Sequence, residues 1–211
     1  TTPAEFVFTA GGKQYILLNE TTSDKSKFLI LSKDSVKYSK AAEDGVESQI
    51  FSLDANTLGN WLNDGYITSL PDAMQRSINL SQNWKIDIPM WNAETEQNIQ
   101  AGIVIPAVNE IIRYKDKIGF GEIEKWWTRS PYGDRSGDGN NIMCVSHNGT
   151  SAEIAGQHCT NYAQVRPMFY VNKDFFNNVK LTSAGSEVLK VMEKSSLYTD
   201  SEWTELISQS K

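Results

Sequence analysis

Two short motifs constrain this chain more than anything else in it: Trp126-Trp127-Thr128-Arg129-Ser130-Pro131 and Val165-Arg166-Pro167-Met168-Phe169-Tyr170. Each sets an arginine and a proline among large apolar side chains. A guanidinium in such surroundings needs carboxylates, carbonyls or aromatic faces to offset its desolvation, so each motif implies a built environment rather than a solvated loop. Between the motifs, residues 132–141 carry three glycines and two aspartates in ten residues, which is turn chemistry and not an element. The expectation is that the motifs close on each other around a shared core and leave that polar excursion outside.

The rest of the chain reads as a mixture of strands and short helices. Phe6 to Phe8, Gly11-Gly12, Tyr15 to Leu18 and Phe28 to Ser32 alternate β-prone runs with turn residues and predict an antiparallel meander. From Asp54 the period changes, with Leu58, Trp61 and Leu62 at helical spacing behind an Asp54 or Asn56 cap and Asn63-Asp64-Gly65 as the stop. A second helix is expected from Pro71 with Met74 and Ile78 inward. A third is expected from Pro106, carrying Val108, Ile111 and Ile112 and ending at Gly119. Residues 142–155 read as a hairpin turning at His147-Asn148-Gly149, and residues 165–171 as one core strand. Residues 181–194 and 200–208 read as two amphipathic helices. The fold class is therefore α+β, with one domain over 1–180 and a helical extension over 181–211.

Charge and hydropathy narrow the function classes. Twenty Lys and Arg against 26 Asp and Glu leave a net charge of −6, which disfavours a general phosphate-backbone binder, so nucleic acid is not the expected partner. The longest apolar runs, 28–31 and 103–108, fall far short of the roughly 18 residues a membrane span needs. Thr1 follows no basic-then-apolar leader, so a removed signal peptide and a start inside a longer protein both fit.

The paired motifs resemble the W-W-L-R-S-P and V-R-P signature of a widespread bacterial domain family of unknown function. Phe28-Leu29-Ile30-Leu31-Ser32-Lys33 looks like that family's L-L-S-K strand. Asn56-Thr57-Leu58 through Trp61-Leu62-Asn63 is similar to its S-x-L-R-x-W-L-N helix. The resemblance covers roughly residues 5–172. It implies a C-type-lectin-like fold, in the variant shared with formylglycine-generating enzymes, in an exported or cell-surface bacterial protein. The chain departs from the pattern at Thr128, where leucine is usual, at Gly59, where a basic residue is common, and at Cys144 and Cys159.

Each candidate site carries two readings. Arg129 and Arg166, with Pro131 and Pro167, are expected to tie the excursion to the core, and the sharper alternative is a pocket for a carboxylate or sugar hydroxyls. On a strand, adjacent Trp126 and Trp127 point to opposite faces, so one is expected in the core. The other, with Tyr132 and Tyr162, would then form a stacking platform. Cys144 and Cys159 are expected to close the hairpin as a disulfide. Zinc shared with His147 and His158, and two free thiols, are the alternatives. Asp134 and Asp138 could hold calcium in the excursion, although their spacing misses the EF-hand pattern. The leading expectation is a non-catalytic binding module with a glycan or protein ligand on Trp127, Arg129, Tyr132, Asp134, Asp138, Asn148 and Tyr162. The alternatives are a cysteine- or metal-dependent oxidase, by analogy with the formylglycine-generating enzymes, and a structural spacer in a larger surface protein.

Overall fold

A computed structural model describes residues 7–20, 27–44, 51–86, 97–115, 117–118, 125–132, 141–148 and 151–172, with backbone alone at 7, 19–20, 147–148 and 151–152. The expected helices at 181–194 and 200–208 lie outside the described residues. So does most of the excursion, including Asp134 and Asp138.

The meander forms as expected. Strands β1 (Val7–Ala10), β2 (Lys13–Glu20) and β3 (Lys27–Ser32) pair antiparallel. Gly11 and Gly12 have φ of 59° and 73°, the two positive values that a two-residue hairpin turn requires. Strands β4 (Lys37–Ser39), β5 (Asn83–Ile86), β6 (Gln97–Gln100) and β7 (Ile103–Val104) follow, the middle two as their own antiparallel pair. Strands β8 (Lys125–Pro131), β9 (Asn141–Asn148), β10 (Ser151–His158), β11 (Ala163–Val165) and β12 (Met168–Asn172) complete the set. Two five-stranded sheets result, ordered β1-β2-β3-β12-β7 and β10-β9-β8-β11-β4. With few short helices and mostly antiparallel pairing, the molecule is α+β.

Residues 165–171 are two strands rather than one. Val165 ends β11 in the second sheet and Met168 begins β12 in the first, so Arg166-Pro167 is the corner where the chain changes sheets. Proline breaks the ladder at that point because it lacks an N–H. The corner is pinned to β3: Ser32 N donates to the Pro167 carbonyl at 2.8 Å, and Arg166 Nε donates to the Ser32 carbonyl at 3.1 Å. The tryptophan motif meets this corner. β8 runs parallel to β11 with Trp126 opposite Gln164, and the Arg166 guanidinium lies 4.9 Å from the Trp126 ring centroid. The excursion leaves and returns through a closed base, with Tyr132 N donating to the Asn141 carbonyl at 3.0 Å.

The helical segments are shorter and less regular than their spacing predicts. α1 (Leu58–Asn60) is capped by the Thr57 hydroxyl, not by Asp54 or Asn56, and the chain continues through a π-helical turn (Trp61–Gly65) and a 3₁₀ turn (Tyr66–Ser69). Asn63-Asp64-Gly65 does not stop it. Asn63 donates to the Gly59 and Ile103 carbonyls at 2.9 and 2.8 Å and accepts from Gly102 and Ile103 N–H at 2.9 Å each, which bolts this segment onto β7. α2 (Asp72–Ser77) buries Met74, and α3 (Val108–Arg113) buries Val108 and Ile111 but leaves Ile112 exposed. A single buried cluster runs through side chains of both large sheets and all three helices.

Candidate functional site

The tryptophan doublet is wholly core. Trp126 and Trp127 are both fully buried, so β8 is covered on both faces, and the expected platform on Trp127 does not exist. Trp127 donates its indole N–H to the Ser39 carbonyl of β4 at 2.8 Å. Thr128 is buried as well, with its hydroxyl donating to the Met143 carbonyl at 2.7 Å, which ties β8 to β9 where the resembled pattern has leucine.

Arg129 is a hub. Its Nε donates to the Lys85 carbonyl at 2.8 Å and its Nη1 to the Ile105 carbonyl at 2.9 Å. Both terminal nitrogens engage the two Glu110 oxygens, a bidentate pair whose Nη1 contact is 2.8 Å. The guanidinium also lies 5.4 Å from the Trp84 ring centroid. Glu110 in turn accepts from Ala107 N at 3.2 Å, so one carboxylate serves both the start of α3 and the arginine.

The cysteines are free thiols, which corrects the expected disulfide. The hairpin register sets Ala155 opposite Cys144, and Cys159 lies just past the end of β10, four residues further along. At roughly 3.4 Å per strand residue that slip exceeds disulfide reach along the ladder. Both thiols are buried, and desolvation pushes Cys144 up to about 12 despite the opposing field of Lys125. The Cys159 carbonyl accepts from Ala41 and Ala42, so this segment works through its backbone. His158 is exposed and bonds the Thr160 hydroxyl at 2.8 Å. Among the described residues no three His, Cys, Asp or Glu side chains gather around one point.

The remaining expected residues scatter. Tyr132 packs over Gly156, where a Cβ would stand 2.6 Å from its ring. The side chain of Asn148 lies outside the described residues. Tyr162 is half exposed and stacks on Tyr38 of β4, itself 64% exposed, at 5.4 Å between centroids, and Lys40 reaches over Tyr162 at 5.7 Å. Tyr38 was not among the expected residues, although the alternation of Lys37, Tyr38 and Ser39 on an edge strand places it outward.

The cavity that sequence reasoning missed surrounds Trp61. A cleft of about 590 Å³ is lined by Lys13, Gln14, Asp34, Ser35, Trp61 and Tyr66, among others. A second, about 280 Å³, is lined by Glu43, Asn56, Asn60, Asp64 and the same Trp61. The indole is the shared wall. Lys37 Nζ lies 4.3 Å from its centroid and Tyr66 packs beside it at 5.6 Å. Lys13 Nζ stands 5.0 Å from the Tyr66 ring. Burial raises the Tyr66 phenol above its ordinary value against a smaller pull from the Tyr15 hydroxyl, so this wall is uncharged. Helical spacing alone assigns Trp61 to the core with Leu58 and Leu62. In the structure the ring is only partly buried and packs against the edge of the core rather than inside it.

Gly59 explains itself in the same place. A Cβ there would meet the Ser52 carbonyl at 2.1 Å and the Phe51 ring at 2.9 Å, so the basic residue of the resembled pattern has no room. A third cleft, about 350 Å³, lies at the Arg129 hub between α3 and β5.

Among the described residues no helix is long and apolar enough to cross a membrane. Comparison of the chain with models of known families, with curated proteins and with solved structures gives no match.

Proposed function

We propose that this chain is a non-catalytic binding module with a glycan ligand, and that its recognition surface is the pair of clefts sharing Trp61. The observation that carries the reading is the larger cleft. Its volume of about 590 Å³ falls within the size range of small-ligand sites, and it combines two aromatic walls with amide, hydroxyl and carboxylate side chains. Sugars are recognised by that mixture, since their C–H faces stack on aromatic rings while their hydroxyls exchange hydrogen bonds with polar side chains. The charged lining is balanced, one lysine and one aspartate in the larger cleft, which suits a neutral ligand.

The reading keeps the C-type-lectin-like fold and the exported or cell-surface location that the signature resembles. In support, the two motifs meet at one corner beside a closed excursion. It moves the ligand away from Trp127 and Arg129, whose side chains are committed to the core. The oxidase reading has less support. Such chemistry needs an accessible thiolate, and Cys144 is buried and held neutral. A protein ligand is the second reading, favoured by the exposed Tyr38–Tyr162 stack, because paired exposed tyrosines are common anchors at protein interfaces.

A glycan array probed with the chain and with Trp61→Ala tests the proposal. The expected result is saturable retention of one glycan class that falls at least about tenfold in the variant, the loss of one stacked ring at ~1.4 kcal/mol per decade. No saturable signal from the native chain overturns it and leaves the protein-ligand and spacer readings, and retention equal in both proteins overturns the placement of the ligand at Trp61.

A further inference from the structure

The third cleft differs in charge from the two at Trp61. Its walls are Asn83, Trp84 and Lys85 from β5, Asn109, Glu110 and Arg113 from α3, Arg129 from β8 and Tyr170 from β12, so four elements of distant sequence converge on it. Two guanidinium groups, Arg113 and Arg129, meet one carboxylate there, on a chain whose net charge is −6. That carboxylate is already compensated: both Glu110 oxygens are held by Arg129, and one accepts from Ala107 N as well. Arg113, by contrast, is exposed at the rim at the end of α3.

The floor is built from two stacked rings. Trp84 is buried with its indole N–H on the Ala101 carbonyl at 2.8 Å, and the Tyr170 ring stacks on it at 4.9 Å and 15°. Tyr170 is only partly buried. Its phenol is pushed up to about 12, mainly by desolvation, with Glu110 and Tyr114 adding to the rise and Arg129 and Arg113 opposing it. The hydroxyl is therefore an uncharged donor at neutral pH, beside an arginine with charge to spare.

From this arrangement we infer a second ligand site, at which Arg113 and the Tyr170 hydroxyl hold the carboxylate of a small monoanionic ligand over the Trp84–Tyr170 floor. An arginine fork matches a planar carboxylate in two bonds, and a phenol supplies a further donor. The compensated Arg129–Glu110 pair sets the cleft's polarity without competing for the ligand. The inference stands on its own cleft and does not depend on the Trp61 reading.

Isothermal titration of the full chain with sodium glucuronate tests it, with glucose as the neutral control, N-acetylalanine as the peptide-like carboxylate and inorganic phosphate as the dianion. The site predicts saturable glucuronate or N-acetylalanine binding, none with glucose, and the tighter of the two names the source. Arg113→Gln should weaken that binding at least fivefold and Tyr170→Phe about threefold. Neither variant removes a core contact. Equal binding of glucose and glucuronate, tighter binding of phosphate, or an unchanged affinity in Arg113→Gln overturns the assignment.

Discussion

Trp127 and Trp61 sit in the same molecule with opposite fates. Trp127, half of a doublet on a strand, is buried to the last atom with its indole N–H on a backbone carbonyl. Trp61, at helical spacing beside Leu58 and Leu62, forms the wall of two clefts. Local periodicity favours the reverse assignment, because a strand shows alternate residues to opposite faces and a helix turns every fourth residue inward. What decides between them is the next layer of structure. β8 is central in its sheet, between β9 and β11, and covered on both faces, while the segment carrying Trp61 lies over the edge of β7 through Asn63.

That contrast can be broken at several points. The largest effect belongs to Trp127→Ala, which empties a fully buried indole site and removes a hydrogen bond to the Ser39 carbonyl. We expect a loss of about 3–5 kcal/mol in urea unfolding. A loss under 1 kcal/mol would mean the doublet is not core. Gly59→Ala comes next. Its new methyl would strike the Ser52 carbonyl, which cannot swing aside as a side chain can, and overpacking of this kind costs about 1–3 kcal/mol. The helical turn bearing Trp61 should shift with it, so glycan retention should fall together with stability.

Alkaline pH probes the wall behind Trp127, whose register partner on β9 is Cys144. Cys144 ionises near 9 when unfolded and near 12 when folded. The neutral thiol is thus favoured by the fold, its contribution is complete below pH 9, and it is lost as pH climbs from 9 to 12. The expected slope is at most ~1.4 kcal/mol per pH unit from this group. Tyr170, raised in the same sense, steepens the fall above pH 10. Cys144→Ala should flatten the slope between pH 9 and 10, and an unaltered slope would assign the alkaline loss elsewhere. The smallest change in stability is expected for Trp61→Ala, about 1 kcal/mol by the same unfolding assay, because the ring is only partly buried. A cost equal to that of Trp127→Ala would erase the distinction between the two.

Much of the fold was readable. The meander announced itself through Gly11-Gly12, the hairpin through its β-prone runs, and the meeting of the two motifs through the need of two arginines for partners. Arg129 has the several partners its apolar setting demands, but its four bonds run to Lys85, Ile105 and Glu110 and join β5 and α3 to β8, while most of the excursion lies outside the described residues. Less of the site was legible. Glu110 is nineteen residues from Arg129 and carries no local mark of the pair. Tyr38 and Tyr162 meet because β4 pairs with β11, a register between strands more than a hundred residues apart. The cysteines misled because closeness in sequence across a hairpin does not fix register, and a slip of four residues separates what a one-line reading joins. The clefts at Trp61 are assembled from segments far apart in the chain, such as Lys13, Asp34 and Tyr66, which no local period joins.

The most direct test places all six tryptophans in one spectrum. Indole N–H resonances of the ¹⁵N-labelled chain, assigned by single Trp→Phe substitutions, should be followed while a glycan retained on the array is titrated. The account predicts that the Trp61 signal moves and saturates while those of Trp126 and Trp127 stay within their line widths. Movement of the doublet with Trp61 unmoved would contradict it, and would return the ligand to the strand that the fold has sealed on both faces.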